Sequence, residues 1–262
     1  MRGPRHLFGA WSEICEKARG AGQLALLVDF DGTLAPIQRR PHQVRLPASV
    51  RSELVNIARS GAVVGVVSGR ELDDIRRMVG VEGIWYAGAH GLFLQDPGNR
   101  SIVLVNLSQR RRMAQVRRAL ESDLRSVPGI WIEDKRATVA VHYRGAASRS
   151  VAYVRARIRR VLDEFPGVHL LAGKKVWEVL PGRGKDKAAA VRLILRREKL
   201  RRPRVRRLVF YLGDDTTDES VFEKLRGISI LIGRRRRTAA RYFLRSPKEV
   251  ARFLNRWSEL RR

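Results

Sequence analysis

The chain has 262 residues, and its 54 Lys and Arg against 26 Asp and Glu give a formal net charge of +28. A hydrophobic content of 44% is typical of a globular protein and excludes a disordered or fibrous chain. No apolar run approaches the length of a membrane span, and the first residues lack the continuous apolar segment of a secretory signal. The single cysteine, Cys15, cannot form an internal disulfide. We therefore expect a cytoplasmic protein with one large domain, or a main domain with an insertion.

The strong positive charge is compatible with nucleic acid, an anionic membrane surface or small anionic substrates as partners. Basic residues are concentrated in residues 109–118, 195–207 and 233–241. None of these runs contains the interleaved aromatic residues with which single-stranded nucleic acid is bound. From Met113 to Leu124 the apolar residues recur at helical spacing, so that the arginines fall on the opposite face. We therefore favour a solvated, arginine-rich helix face over a nucleic-acid footprint, and we expect no membrane partner.

Short apolar runs predict the buried strands of a mostly parallel sheet: residues 24–30, 62–67, 84–86, 208–212 and 228–232. Helical patterns lie between several of them, for example around Leu54 and around Ile75. Strands that alternate with helices imply right-handed crossovers and an open α/β sheet.

The middle of the chain has a different pattern, in which a helix and two strands occur twice. The helices are predicted over residues 108–126 and 148–165, each near a serine that can serve as the N-cap. Residues 138–143 alternate between polar and apolar, as in a half-exposed antiparallel strand. We predict an inserted α+β domain of αββαββ pattern over residues 107–179, within a main domain formed by residues 1–106 and 180–262.

Polar clusters directly follow three of the predicted strands. Asp29 and Asp31 follow the first strand, Ser68 follows the second, and Asp214 follows a later one. Because ligands bind at the carboxyl ends of strands in open α/β sheets, these side chains should converge. Carboxylates brought together repel each other unless a cation or a proton intervenes. A set of oxygen ligands without His or Cys favours a hard ion, most simply Mg²⁺.

Groups that bind phosphate are also present near these carboxylates. A Mg²⁺ ion held by few carboxylates is commonly completed by water and a substrate phosphate. Backbone N–H or hydroxyl groups at turns are offered by Gly32, Thr33, Ser68 and Gly69. Lys187, at the start of an Ala-rich helix, adds a positive charge. The set resembles a metal-assisted phosphoryl-transfer site.

The motifs also resemble a known family. DFDGT, the serine of VVSGR, the later lysine and LGDDTTDE resemble, in this order, the motifs of haloacid dehalogenase-type phosphatases. More narrowly, the chain resembles trehalose-6-phosphate phosphatases in six motifs: DFDGTLAPI, VVSGR, GAHG, EDK…VHYR, GKKVWEVLP…DKAAA and LGDDTTDESVF. The resemblance covers residues 22–255, and six motifs in order are far more specific than any one of them. It implies a Rossmann-like, mostly parallel core (haloacid dehalogenase-like) with an inserted α+β cap.

The resemblance implies an Mg²⁺-dependent phosphatase that converts trehalose 6-phosphate to trehalose and phosphate through an aspartyl-phosphate, the last step of trehalose biosynthesis. Asp29 would be the nucleophile, and Asp31 would protonate the leaving sugar oxygen and then activate water. Ser68 and Lys187 would hold the phosphoryl oxygens, assisted by Gly32, Thr33, Gly69 and Arg70. The Mg²⁺ ligands would come from Asp29, the backbone carbonyl of Asp31, Asp214 and Asp215, with Asp218 supporting them or orienting Lys187.

The inserted domain would be the cap that selects the sugar. Its closure over the active site would exclude water until the correct disaccharide is bound. Glu133, Lys135 and Glu178 would grip the distal sugar, because carboxylates and an ammonium supply both acceptors and donors to hydroxyl groups. Additional contacts to the sugar phosphate are assigned to His90, Arg144 and Lys174. Residues 133–135 also fit an exposed charged turn.

Several alternatives remain open at this stage. The family often has glycine after the motif lysine, where this chain has Ala188, and Lys185 is a rival to Lys187. Alternatively, a phosphatase with the same chemistry would act on another sugar phosphate or on a polyol phosphate. The charge of +28, which the family does not explain, suggests a nucleic-acid-binding protein on a retained phosphatase fold. We expect a monomer.

Overall fold

The computed structural model describes residues 3–38, 43–173, 175–182, 186–234 and 237–261. The chain forms two compact units, one of Met1–Ile102 and Lys187–Arg262 and the other of Val103–Asp186. Across the described ranges, every helix is too short or too polar to cross a membrane.

The strands are, in chain order, β1 (Arg5–His6), β2 (Gln23–Val28), β3 (Val63–Val67), β4 (Trp85–Gly88), β5 (Phe93–Gln95), β6 (Ser101–Val103), β7 (Trp131–Asp134), β8 (Val139–His142), β9 (Val168–Gly173), β10 (Val176–Pro181), β11 (Arg207–Gly213), β12 (Ile228–Ile232) and β13 (Tyr242–Leu244). The α-helices are α1 (Trp11–Arg19), α2 (Ala48–Arg59), α3 (Leu72–Val79), α4 (Leu107–Leu124), α5 (Ser148–Asp163), α6 (Lys187–Arg201), α7 (Thr216–Lys224) and α8 (Pro247–Asn255). All five predicted strands of the main sheet are present.

The first unit contains a nine-stranded sheet of order β1-β13-β12-β11-β2-β3-β4-β5-β6. The strands from β1 to β4 in this order are parallel, and β5 is antiparallel to β4. Every residue of β2 is buried, as is usual for a central parallel strand with helices on both faces. On one face Leu26 and Val28 pack with Ile14, Leu54 and Phe253 from α1, α2 and α8. The predicted α/β architecture with a mostly parallel sheet is confirmed.

The second unit contains an antiparallel sheet of order β7-β8-β10-β9. Its core joins Val141 and Trp177 of the sheet to Val116 of α4 and Ile158 of α5. Both helices therefore pack on the same face of the sheet, the face of odd-numbered residues in β8 and β10. Glu133 of β7 and Glu178 of β10 point to the opposite face.

The serine N-caps that the sequence suggests for α4 and α5 are wrong. The N-cap of α4 is Asn106, whose side chain accepts a hydrogen bond of 2.9 Å from the backbone N–H of Gln109. The side chain of Gln109 accepts in return from the backbone N–H of Asn106, which completes a capping box. The N-cap of α5 is Ala147, and Ser148 is the first residue of that helix.

Candidate active site

The candidate site lies at the carboxyl ends of the central strands. Val28, the last residue of β2, pairs with Leu212 of β11 on one side and with Val66 of β3 on the other. The residues that follow these strands are therefore neighbours, and the backbone N–H of Asp29 donates to the carbonyl oxygen of Leu212 at 2.9 Å. The ends of these strands therefore meet at one edge of the sheet, as the alternation of strands and helices in the sequence leads us to expect.

A cluster of carboxylates lies at this point. Asp29, Asp214 and Asp218 each offer one oxygen within 4.8 Å of the others. The ammonium of Lys187 donates to Asp29 Oδ1 at 2.7 Å and to Asp218 Oδ1 at 2.9 Å. The hydroxyl of Tyr211 donates to the same Asp218 oxygen at 2.7 Å. Asp29, Asp218 and Lys187 are all buried, so their mutual contacts replace the water that they lose.

The charges of this cluster determine the pKa values of its members. Burial lowers the pKa of Lys187, but the carboxylates of Asp218 and Asp29 outweigh burial and raise the pKa well above its ordinary value, so the ammonium stays charged. Burial and the neighbouring carboxylates of Asp218 and Asp214 raise the pKa of Asp29, and Lys187 opposes them only in part, so the pKa is raised overall. Three carboxylates against the ammonium of Lys187 leave an excess of negative charge. Oxygen donors at this spacing fit a divalent cation, which would lower the pKa of Asp29.

Gly32 is required by the close approach of two loops. Its φ of +79° lies in the left-handed region, and a Cβ at this position would lie 2.2 Å from Asp214 Oδ2. The backbone N–H of Gly32 donates to Ala35 and that of Thr33 donates to Phe30, so both are used inside the turn. The Thr33 hydroxyl donates to Asp29 Oδ2 at 3.5 Å. The structure thus gives Gly32 a packing role, while the phosphate contact that the sequence suggests for its backbone N–H stays a prediction.

Arg70, which the sequence assigns to the phosphate, contacts the carboxylate of Asp31 in the structure. Its Nε and Nη2 donate to the two carboxylate oxygens of Asp31, both at 2.6 Å. The guanidinium also lies 5.6 Å from the centre of the Phe30 ring. Such a two-point contact fixes the orientation of the Asp31 carboxylate.

The loop after β3 is fastened to the turn after β4. Ser68 is buried, its Oγ accepts from the backbone N–H of Arg70 at 3.2 Å, and its carbonyl oxygen accepts from the backbone N–H of His90 at 3.0 Å. His90 is also buried, with a φ of +57°. A Cβ on Gly69 would lie 2.8 Å from the His90 ring. His90 therefore packs against the loop that carries Ser68 and Gly69.

In the acidic motif after β11, the positions of Asp215 and Asp218 differ from those that the sequence leads us to expect. Asp215 is the N-cap residue of α7, and its backbone N–H donates to Asp218 Oδ2 at 2.9 Å. Asp218, not Asp215, joins Asp29 and Asp214 in the carboxylate cluster. The spacing of Asp215 and Asp218 is that of an N-cap and its N3 residue, a signal that places the N3 side chain back over the start of the helix.

A second set of polar side chains lies on the face of the four-stranded sheet opposite α4 and α5, and two of its members, Lys135 and Glu178, are buried. Glu133 of β7 and Glu178 of β10 are both cross-strand partners of Ala140 in β8, so they share a face. Lys135 Nζ lies 2.6 Å from Glu178 Oε1 and 3.8 Å from Glu133 Oε2. Burial raises the pKa of Glu133. The hydrogen bond from His142 and the charge of Lys135 lower it by more, so the pKa is lowered overall.

The remaining predicted residues are more peripheral or outside the described chain. Arg144 is exposed in the turn after β8. Lys174 and Lys185 lie outside the described residues. Three contacts were missed by sequence reasoning, namely those of Arg70 with Asp31, of His142 with Glu133 and of Trp131 with His142. They join residues whose separation along the chain gives no local pattern.

The fold defines the class of protein. The chain superposes on a solved haloacid dehalogenase-like hydrolase from B. subtilis with a TM-score of 0.63 and 14% identity, over 89% of this chain and 99% of that one. The solved C-terminal domain of the C. albicans trehalose-6-phosphate phosphatase gives a TM-score of 0.81 and 20% identity, over 97% of both chains. The fold is that of the haloacid dehalogenase-like hydrolases.

Sequence similarity defines the family. Residues 27–248 match the trehalose-phosphatase family, to which the chain therefore belongs. A trehalose-phosphate phosphatase from Mycobacterium avium (strain 104) is 36% identical over 246 residues, 90% of this chain and 62% of that protein. A probable trehalose-phosphate phosphatase D from Arabidopsis thaliana is 31% identical over 264 residues, 95% of this chain and 70% of that protein. The chain thus spans about two thirds of the length of these relatives.

Proposed function

We propose that the protein is a phosphoric monoester hydrolase that converts trehalose 6-phosphate to trehalose and phosphate, the last step of trehalose biosynthesis. The observation that carries this proposal is the cluster of buried Asp29, Asp218 and Lys187 with half-buried Asp214 in a chain of the trehalose-phosphatase family. The names of the relatives from M. avium and A. thaliana support the choice of substrate.

The reaction proceeds in two displacements at phosphorus. A carboxylate oxygen of Asp29 forms a bond to phosphorus as the bond from phosphorus to the sugar oxygen breaks, and Asp31 gives its proton to that oxygen. Water then attacks the phosphorus of the aspartyl-phosphate while Asp31 takes a proton from the water, and the bond from phosphorus to Asp29 breaks, so that phosphate leaves and the Asp29 carboxylate is regenerated. Arg70 donates to both Asp31 oxygens in the structure and so orients the carboxyl group that would carry the proton of the first step.

The acidic cluster would hold the cofactor, which we propose is Mg²⁺. Asp29, Asp214 and the backbone carbonyl of Asp31 would be its ligands, and the bound ion would supply positive charge to the phosphoryl oxygens. Asp218 contacts Lys187 and Tyr211, so its part is to hold the ammonium of Lys187 toward Asp29. Ser68 and Lys187 would bind the oxygens of the transferred phosphoryl group.

Removal of divalent metal is expected to abolish phosphate release from trehalose 6-phosphate. Without a cation, the excess negative charge of the carboxylates repels the phosphate of the substrate. The measurement is phosphate release with and without EDTA, and added Mg²⁺ should restore it, while EDTA already saturated with Mg²⁺ should have no effect. Undiminished release in EDTA would overturn the metal assignment.

The same assay decides the substrate. Trehalose 6-phosphate is compared with glucose 6-phosphate, sucrose 6-phosphate and sorbitol 6-phosphate at equal concentration. We expect release from trehalose 6-phosphate to be the fastest. Faster release from one of the others would keep the chemistry and replace the substrate, in favour of the alternative that the sequence leaves open.

The Glu133→Ala and Glu178→Ala variants are expected to lose activity on trehalose 6-phosphate selectively. Each removes a carboxylate that we assign to the sugar hydroxyls, and charged hydrogen bonds of this kind are worth roughly 10-fold to 100-fold in affinity. The measurement is kcat/KM for trehalose 6-phosphate against kcat/KM for p-nitrophenyl phosphate, which has no sugar. Glu164→Ala, at an exposed position after α5, is the matched control. Equal losses on both substrates would argue against the sugar assignment.

A further inference from the structure

An exposed tryptophan lies beside the polar set of the four-stranded sheet. Trp131 is the first residue of β7, the edge strand, and 54% of its surface is exposed. One face of its indole ring stacks on the imidazole of His142, with ring centroids 4.5 Å apart and an interplanar angle of 25°. A large aromatic side chain this exposed contributes little to the core.

The contrast with Trp177 is direct. Trp177 lies in β10 with its side chain on the helix-covered face, stacks on Tyr143 at 4.0 Å and is buried in the core. Trp131 is the cross-strand partner of His142, which places both on the other face. The stacked pair of Trp177 and Tyr143 therefore lies in the core, whereas the stacked pair of Trp131 and His142 lies on the opposite face of the sheet, beside the polar set.

His142 connects Trp131 to the candidate sugar site. Its Nε2 is hydrogen-bonded to Glu133 Oε2 at 2.9 Å, while its ring supports the indole. Trp131 and Glu133 are two residues apart in one strand and point to the same face, at a spacing of about 7 Å along the chain. That spacing is close to the width of one pyranose ring.

A glucose ring has two kinds of surface that match this arrangement. Its hydroxyl groups lie around the edge and require donors and acceptors, which Glu133, Lys135 and Glu178 provide. Its C–H groups form apolar faces, which pack well on a flat aromatic ring with a polar surrounding. The indole of Trp131 thus supplies an apolar surface and the carboxylate of Glu133 supplies hydrogen-bond acceptors on the same face of the sheet. The face covered by the helices supplies neither.

We propose that Trp131 is a substrate-binding platform against which the sugar ring held by Glu133 stacks, and that His142 is a positioning residue that orients both side chains. The inference deepens the proposed function and rests on it for the identity of the sugar. His142 acts by supporting the indole on one side and by fixing the Glu133 carboxylate through its hydrogen bond.

The test of the platform uses the whole protein and trehalose as the probe. Trehalose binding is measured by saturation-transfer NMR and by titration calorimetry for the wild type, Trp131→Ala and Trp131→Phe. We expect affinity to fall roughly tenfold in Trp131→Ala and to be largely kept in Trp131→Phe, which retains an aromatic face. Tyr153→Ala is the matched control, because Tyr153 of α5 is equally exposed, at 54%, and lies in the same unit. Trehalose affinity equal to that of wild type in Trp131→Ala would overturn the inference.

The test of His142 separates positioning from general stability. His142→Ala should raise KM for trehalose 6-phosphate and leave kcat on p-nitrophenyl phosphate unchanged, since that ester carries no sugar. His142→Gln, whose planar amide can donate to Glu133 and support the indole, should restore most of the lost affinity. Equal damage on both substrates, or no recovery in His142→Gln, would contradict the positioning role.

The outcomes distinguish this inference from the proposed function. If wild type hydrolyses trehalose 6-phosphate and Trp131→Ala binds trehalose as tightly as wild type, the function stands and the platform is wrong. If wild type binds trehalose in a Trp131-dependent way but releases no phosphate, the platform stands and the function is wrong. If wild type does not bind trehalose at all, the platform is wrong.

Discussion

Replacement of Asp29 by asparagine is expected to abolish phosphate release while leaving the fold intact. Asparagine has the shape of aspartate and keeps an oxygen that can accept from Lys187, so the buried contacts at 2.7 Å survive in large part. It cannot attack phosphorus as a carboxylate does. Loss of a nucleophile of this kind costs on the order of 10⁴-fold or more in turnover. The measurement is single-turnover phosphate release from trehalose 6-phosphate, together with the circular dichroism spectrum.

The control for Asp29→Asn is Asp73→Asn. Asp73 is an exposed carboxylate on α3 in the same unit, paired with Arg76 at 3.6 Å, and its loss should change neither activity nor fold. Phosphate release near the wild-type rate in Asp29→Asn would show that another group forms the covalent bond. It would refute the assignment of the nucleophile without touching the fold.

Replacement of Lys187 by methionine is expected to reduce both activity and stability. The ammonium is the buried partner of Asp29 and Asp218, and removal of one partner of a buried ion pair costs about 3 kcal/mol of unfolding free energy. It also removes a positive charge from the transferred phosphoryl group, which is worth roughly 10²-fold to 10³-fold in turnover. Urea denaturation followed by tryptophan fluorescence measures the first effect, and phosphate release measures the second.

Two further variants make the Lys187 result interpretable. Lys199→Met changes an exposed lysine on the same helix, α6, and should behave as wild type. The double variant Lys187→Met/Asp218→Asn removes one of the carboxylates left without the ammonium, so it should regain stability but no activity. Full activity in Lys187→Met, or a double variant less stable than the single one, would contradict the charge balance described for this cluster.

The main sheet was predictable because its central strands are covered on both faces and therefore read as unbroken apolar runs. Residues 24–30 and 208–212 were identified in this way, and the structure places β2 and β11 at these positions. The short strands at the two ends of the sheet, β1 and β13 on one side and β5 and β6 on the other, are not predicted. Two or three residues carry too little pattern to be told from a loop.

The location of the candidate site was predictable for the same reason, because polar residues that directly follow adjacent parallel strands must meet. The individual contacts were not. Asp218 replaces Asp215 in the carboxylate cluster because the N-cap geometry of α7 turns the N3 side chain inward. The pairing of Arg70 with Asp31 depends on side-chain rotamers, which no sequence spacing encodes.

The contact between Asp29 and Lys187 joins residues that are 158 positions apart, and β2 and β11 are neighbours in the sheet although the whole second unit lies between them in sequence. Pairings of such long range are slow to form. During synthesis on the ribosome, the segment 103–186 is complete before β11 has been made, so the second unit can fold while Lys187, Asp214 and Asp218 do not yet exist. The late addition of β11 beside β2 is thus the event that brings Asp214 and Asp218, which follow β11, to Asp29.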